Sequence, residues 1–201
     1  LDLSLAVAPM RGYRAEARRP PDAPPWIPPS PGIRSWESAR CYLATVFCEA
    51  LPEIDHGRGT GLAFQVLGTP AVGGAALLDR LGETPQAGVR LLRQAYVAGG
   101  GMHAGRLLDG LRIVVTDPDR FLPVALSIRL LAALQAARTP GPPWSHPDAR
   151  PGFFDQLYGT STVRRMLQDG ADADSIIATW QAGCRAYREQ RKDVLLYPRP
   201  G

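Results

Sequence analysis

The sequence contains no asparagine, and Lys192 is the one lysine among its 23 basic residues. The others are arginines, in a chain rich in alanine, glycine and proline. Such a bias reflects the base composition of the coding sequence, so a pI near 9.3 is weak evidence for a nucleic-acid partner. The arginines are spread out, and no basic run is interleaved with aromatics as a nucleic-acid surface would show. No nucleic acid is expected. Cysteine is scarce too: Cys41, Cys48 and Cys184 form no CxxC pair. Cys41 and Cys48 are seven apart, two helical turns, and read as buried thiols. The three histidines, His56, His103 and His146, are too scattered for a zinc motif, so neither metal nor cofactor is expected. No apolar run approaches the length of a membrane span. No signal peptide is visible, the chain begins at Leu1 without a methionine, and localisation is left open.

What is present is an ordinary core and many breakers. The apolar fraction, 45%, suits a packed interior, and 201 residues suit one domain. The 20 prolines and 21 glycines are scattered, which predicts a loop-rich globular domain rather than disorder. Leu1, Leu3, Leu5 and Val7 alternate and predict a β-strand with one buried face. A charged, proline-rich loop follows, so residues 1–25 read as leading strand and linker, and residues 26–201 as the domain proper. Ser35 is a suitable N-cap for a helix to Ala50, with Ala39, Tyr42, Leu43, Val46 and Phe47 as its apolar face. Strands are expected over 62–68, 88–97 and 110–117. Helices are expected over 75–81, from Pro118 or Asp119 to Ala137, over 161–169 and from Asp174 onward. The last helix carries a stripe of Ile176, Ile177, Trp180, Cys184 and Tyr187, and Val194–Tyr197 closes the chain as a strand or tail. Few strand–helix–strand units repeat. The pattern predicts a single α+β domain, a mixed β-sheet with flanking helices.

The richest stretch runs from Trp26 to Phe64. Pro28, Pro29 and Pro31 stiffen the first loop. In Asp55-His-Gly-Arg-Gly-Thr-Gly61 the glycines allow close approach of a ligand, and Arg58 and Thr60 supply donors. Spacing alone fits a polar cleft wall and two ordinary connections equally well. There is no GxSxG, Walker loop, HExxH or dinucleotide fingerprint. Glycoside chemistry needs two carboxyls about one bond. Glu49, Glu53, Asp55, Asp109 and Asp117 are candidates, but spacing pairs none of them, so the catalytic residues stay unknown. Asp117 reads best as the cap of the following helix, and His56 as an exposed loop residue.

Several segments in order resemble one family. Met10-Arg-Gly-Tyr13, Pro28-Pro-Ser-Pro31, Gly57-Arg-Gly-Thr60 with Phe64, Gly68 and Pro70, and Val114-Val-Thr-Asp117 with Phe121 and Pro123 are similar to the C-terminal half of the NamZ-type exo-β-N-acetylmuramidases. Phe154–Gly159, Trp180 and Arg191–Tyr197 continue the likeness. The resemblance implies a two-lobed enzyme that releases terminal N-acetylmuramic acid from peptidoglycan fragments. Its acid and base lie in an N-terminal Rossmann-like lobe, which this chain would meet as a separate chain or as the rest of a longer one. Alone, the chain is expected to be inactive. Ser30, His56, Gly57, Arg58, Thr60 and His103 are the implied substrate-binding residues, with Arg58 suited to the lactyl carboxylate of a muramic-acid sugar. Three positions depart from the family pattern: His56 stands for Glu, Gly32 for Asn, and Leu108-Asp-Gly110 for Cys-Gly-Gly. A non-catalytic sugar-binding or protein-interaction module is the alternative.

Overall fold

The computed structural model describes residues 3–14, 24–82, 87–137 and 142–197. Their contacts divide the chain into a large unit, Trp26–Ala178, and a second formed by Leu1–Pro25 with Thr179–Gly201. In order the elements are α1 (Trp36–Thr45), β1 (Val66–Leu67), α2 (Gly74–Leu81), β2 (Val89–Val97), β3 (Leu107–Val115), α3 (Pro123–Ala137), α4 (Pro151–Tyr158), α5 (Thr162–Gln168) and α6 (Ala173–Gln190). The class is α+β. No helix among the described residues is long and apolar enough to cross a membrane.

The sheet has the order β1-β3-β2 and is antiparallel throughout, not mixed. The reason lies in the connection. Gly99–Gly105 folds into a tight turn, with a 3-10 step at Gly101–His103, so β2 returns directly as β3. A short turn can join only antiparallel neighbours; a parallel pair needs a long crossover. β2 and β3 match the expected runs, because both are rich in branched and long apolar residues. The expected strand over 62–68 shrinks to Val66–Leu67, since residues 61–65 turn and Phe64 takes φ +64.

α1 starts as expected, with the Ser35 side chain accepting from Ser38 N. Its buried face is Ser38, Cys41, Ala44 and Thr45, while Leu43 is exposed. Apolarity misjudged that face because two of its members are polar side chains with internal partners: Thr45 Oγ1 donates to the Phe64 carbonyl at 3.0 Å, and Ser38 Oγ pairs with Ser35 and Gln65. A 3-10 segment, Val46–Ala50, continues the chain inward. Cys41 and Cys48 are buried, as the spacing suggested. α3 begins at Pro123, later than expected. Asp117 Oδ1 accepts from Asp119 N, so it closes the turn after β3 and does not cap the helix. α4, not foreseen, opens on Pro151 at its first position and buries Phe154.

In the second unit the described residues form no leading strand. Leu3, Leu5 and Val7 are exposed and the described backbone from residue 3 to Ala8 is irregular, because no strand among the described residues pairs with it; Leu1 and Asp2 lie outside the described residues. Alternation marks a face, but a strand also needs a neighbour to satisfy its backbone. Met10 N donates to the Tyr197 hydroxyl, and the Tyr13 and Tyr197 rings meet at 4.5 Å. Of the stripe expected on α6, Ile176 alone is buried; Cys184 and Tyr187 are exposed. Val194–Tyr197 is not a strand but a 3-10 turn, Lys192–Val194, with an irregular end.

Candidate functional site

Two glycine loops meet backbone to backbone. Gly59 has φ +83, and a β-carbon there would stand 2.5 Å from the Gly99 carbonyl oxygen. A β-carbon on Gly99 would stand 2.5 Å from the Gly59 carbonyl carbon. Only glycine permits this contact, and it places the β2–β3 turn against the Arg58 loop. His103 Nε2 and the Glu53 carbonyl, 3.0 Å apart, fasten the turn to the segment before the loop. Between the two loops and the start of α4 lies an open cavity of about 510 Å³.

The charged groups of its wall are Glu49, Asp55, Arg58 and Arg150. Arg58 is more than half exposed and its Nη1 lies 3.1 Å from Glu49 Oε1. Arg150 arrives from far along the chain. Its backbone N–H donates to the Ala50 carbonyl, its guanidinium to the Glu49 carbonyl, and its Cζ sits 4.5 Å from the Phe153 ring centre. Asp55 is buried; its Oδ1 accepts from Gly57 N at 2.8 Å, and its carbonyl accepts from the Tyr96 hydroxyl at 3.3 Å. Both wall carboxylates are therefore engaged inside the chain.

His56 is buried, not the exposed loop residue its neighbours suggested. Its ring packs 5.1 Å from that of Phe64, whose own N–H donates to the His56 carbonyl. Burial lowers its pKa to about 4, against the pull of Asp55 and with help from Arg58. His56 is thus neutral near pH 7, and its Nε2 is buried with no hydrogen-bond partner among the described residues.

Of the six implied binding residues, the structure brings His56, Arg58 and His103 to this cavity. Gly57 and Thr60 build the loop: a β-carbon on Gly57 would meet Val66 Cγ2 at 2.6 Å, and Thr60 Oγ1 donates to the Gly57 carbonyl at 2.7 Å while accepting from Leu62 N. Ser30 is exposed in the proline turn, its carbonyl accepting from Ile33 N. That turn lies beside Arg58, since a β-carbon on Gly32 would stand 3.8 Å from Arg58 Nε. Asp109 pairs with Arg93 at 2.8 Å on the sheet, away from the cavity wall. Sequence reading missed Arg150 and Phe153, whose place depends on a contact spanning about a hundred residues; the available signal was Pro151 as a helix start. No cluster of metal-binding side chains occurs among the described residues.

An α+β domain with an arginine-bearing polar cavity at the meeting of two glycine loops is the class that this fold and site define. Residues 40–197 match the family described as exo-beta-N-acetylmuramidase NamZ, C-terminal, and the chain belongs to that family. A curated relative, the peptidoglycan beta-N-acetylmuramidase NamZ of Bacillus subtilis strain 168, is 25% identical over 197 residues, covering 98% of this chain and 46% of that protein. Two crystal structures of DUF1343 family proteins from Bacteroides fragilis share the fold. One superposes with a TM-score of 0.79 at 20% identity, covering 86% of this chain and 45% of the other. The second has a TM-score of 0.65 at 25% identity, covering 94% and 48%. The chain spans just under half the length of these relatives.

Proposed function

We propose that this chain is the C-terminal lobe of an exo-β-N-acetylmuramidase-type glycoside hydrolase that acts on peptidoglycan fragments. In this reading it supplies one wall of the substrate cleft, and the proton-transferring carboxylates come from a Rossmann-like N-terminal lobe outside these 201 residues. The observation that carries it is Arg58, an exposed guanidinium at a cavity mouth whose one ion pair among the described residues is with the partly exposed Glu49. An exchange of Glu49 for a ligand carboxylate costs little there, because such surface pairs are worth about 0–1 kcal/mol. The guanidinium fork then meets both oxygens of the lactyl group at once. Neutral His56 behind it adds no positive charge. Glu49 and Asp55, both held by internal donors, fit a wall that binds and orients better than an acid–base pair.

Hydrolysis of a chromogenic N-acetylmuramide tests this, with the chain alone and with its N-terminal lobe. Turnover only with both lobes supports the proposal. No turnover in either mixture, with both parts folded, favours a non-catalytic sugar-binding module.

A further inference from the structure

A second polar pocket, remote in chemistry from the cleft and independent of the reading above, lies between α1 and β3. Arg112 stands mid-way along the central strand, opposite Val66 on β1 and Leu92 on β2. On its face of the sheet Val66 is buried and Leu92 exposed, and Arg112 itself is half-buried. The part of a guanidinium that is withdrawn from water needs a partner, because an unpaired buried donor is costly. Here Arg112 Nε is shut off from solvent, and among the described residues it has no hydrogen-bond partner and the guanidinium no ion pair.

The facing wall is one side of α1: Glu37, Arg40 and Cys41. Gln65 closes the pocket, its amide turned to Ser38 Oγ and the Gly61 carbonyl at 3.4 and 3.5 Å. The balance of charge is two guanidiniums against one carboxylate; Glu37 and Arg40 are both exposed at the rim, and Arg40 Cζ lies 5.9 Å from the Trp36 ring centre. Cys41 adds no anion: burial, helped by Glu37 and opposed by Arg40 and Arg112, pushes its thiol up to about 12. The space is about 100 Å³. A water occupies roughly 30 Å³, so the pocket admits one small polyatomic group.

We propose that this pocket binds one small oxyanion, a carboxylate or phosphate group, on the fork of Arg112 with Arg40 as the second cation. The guanidinium geometry matches two oxygens of either group and leaves the buried Nε a partner.

The test is a titration of the chain with sodium phosphate, and separately with sodium acetate, at ionic strength held constant with sodium chloride. The readout is the arginine Nε–H region of the ¹H–¹⁵N spectrum together with Tm. A saturable shift of the Arg112 Nε–H is expected in at least one arm, and the arm that saturates first tells a tetrahedral ligand from a planar one. Tm should rise by about 3–5 °C at ten times Kd. Arg112→Met should abolish the rise, Arg40→Met should weaken Kd about tenfold, and Arg165→Met, exposed on α5, should change neither. If Arg112→Met does not fold, the wild-type resonance and Arg40→Met decide. No saturable shift in either arm, or an equal rise in Tm in the arginine variants of the pocket, overturns the proposal.

Discussion

His56 shows how a single buried side chain links the loop to pH. In the unfolded chain its pKa is the ordinary 6.5; in the fold it falls to about 4. Above pH 6.5 both states hold the ring neutral and nothing is lost. As pH falls below 6.5 the unfolded state gains a proton that the folded state refuses, so stability declines until about pH 4, by about 3 kcal/mol. Denaturant unfolding at pH 7 and pH 4 should show this loss, and His56→Gln should flatten it; an unchanged pH slope in the variant would mean other groups cause it. The glycines offer a sharper contrast. Gly59→Ala places a methyl 2.5 Å from the Gly99 carbonyl oxygen at φ +83 and should cost about 2–4 kcal/mol. Gly61→Ala meets nothing within 4 Å and needs no positive φ, so it should change stability by less than about 1 kcal/mol. Thermal melts of the two variants separate them. The three glycines of this loop look alike in sequence. What tells them apart is what comes close in the fold: Val66 and Leu62 at Gly57, Gly99 at Gly59 and nothing within 4 Å at Gly61. Likewise, nothing near His56 in sequence foretold its burial, because its cover is Phe64 folding back at positive φ.

Among elements, legibility followed how local the cause was. Ser35 announced α1, and its oxygen does accept from Ser38 N. Ser35→Ala should therefore cost about 1 kcal/mol while leaving ligand affinity at the cleft unchanged; a loss of affinity with normal stability would give Ser35 a role in the site. The strands β2 and β3 were legible from composition, and their tight turn made the sheet antiparallel. Where cover comes from elsewhere, pattern misled. The buried face of α1 includes Thr45 and Ser38, which hydrogen bonding admits and hydropathy excludes. Thr45→Val should cost about 1–3 kcal/mol, since the buried Phe64 carbonyl loses its donor from Thr45. The apolar alternation before Met10 and the stripe on α6 name faces without naming what covers them, and both are largely exposed here.

At the scale of the molecule, family membership was legible in the order of short segments, none of them strong alone, and it matches residues 40–197. Part of the cavity wall was legible with it. Arg58 and His103, which the resemblance implied, line the cavity, whereas Arg150 and Phe153 come from the start of a helix that no local cue tied to the loop. The central claim is that Arg58 recognises an anionic sugar and that proton transfer belongs to another lobe. Its most direct measurement is calorimetric binding of N-acetylmuramic acid beside N-acetylglucosamine, which lacks the lactyl carboxylate, to the wild-type chain and to Arg58→Ala. The account predicts that wild type prefers the muramic acid by about tenfold, that Arg58→Ala erases this preference, and that Tm moves by no more than about 2 °C. Equal affinity of wild type for the two sugars, or a preference that survives in Arg58→Ala, would contradict it.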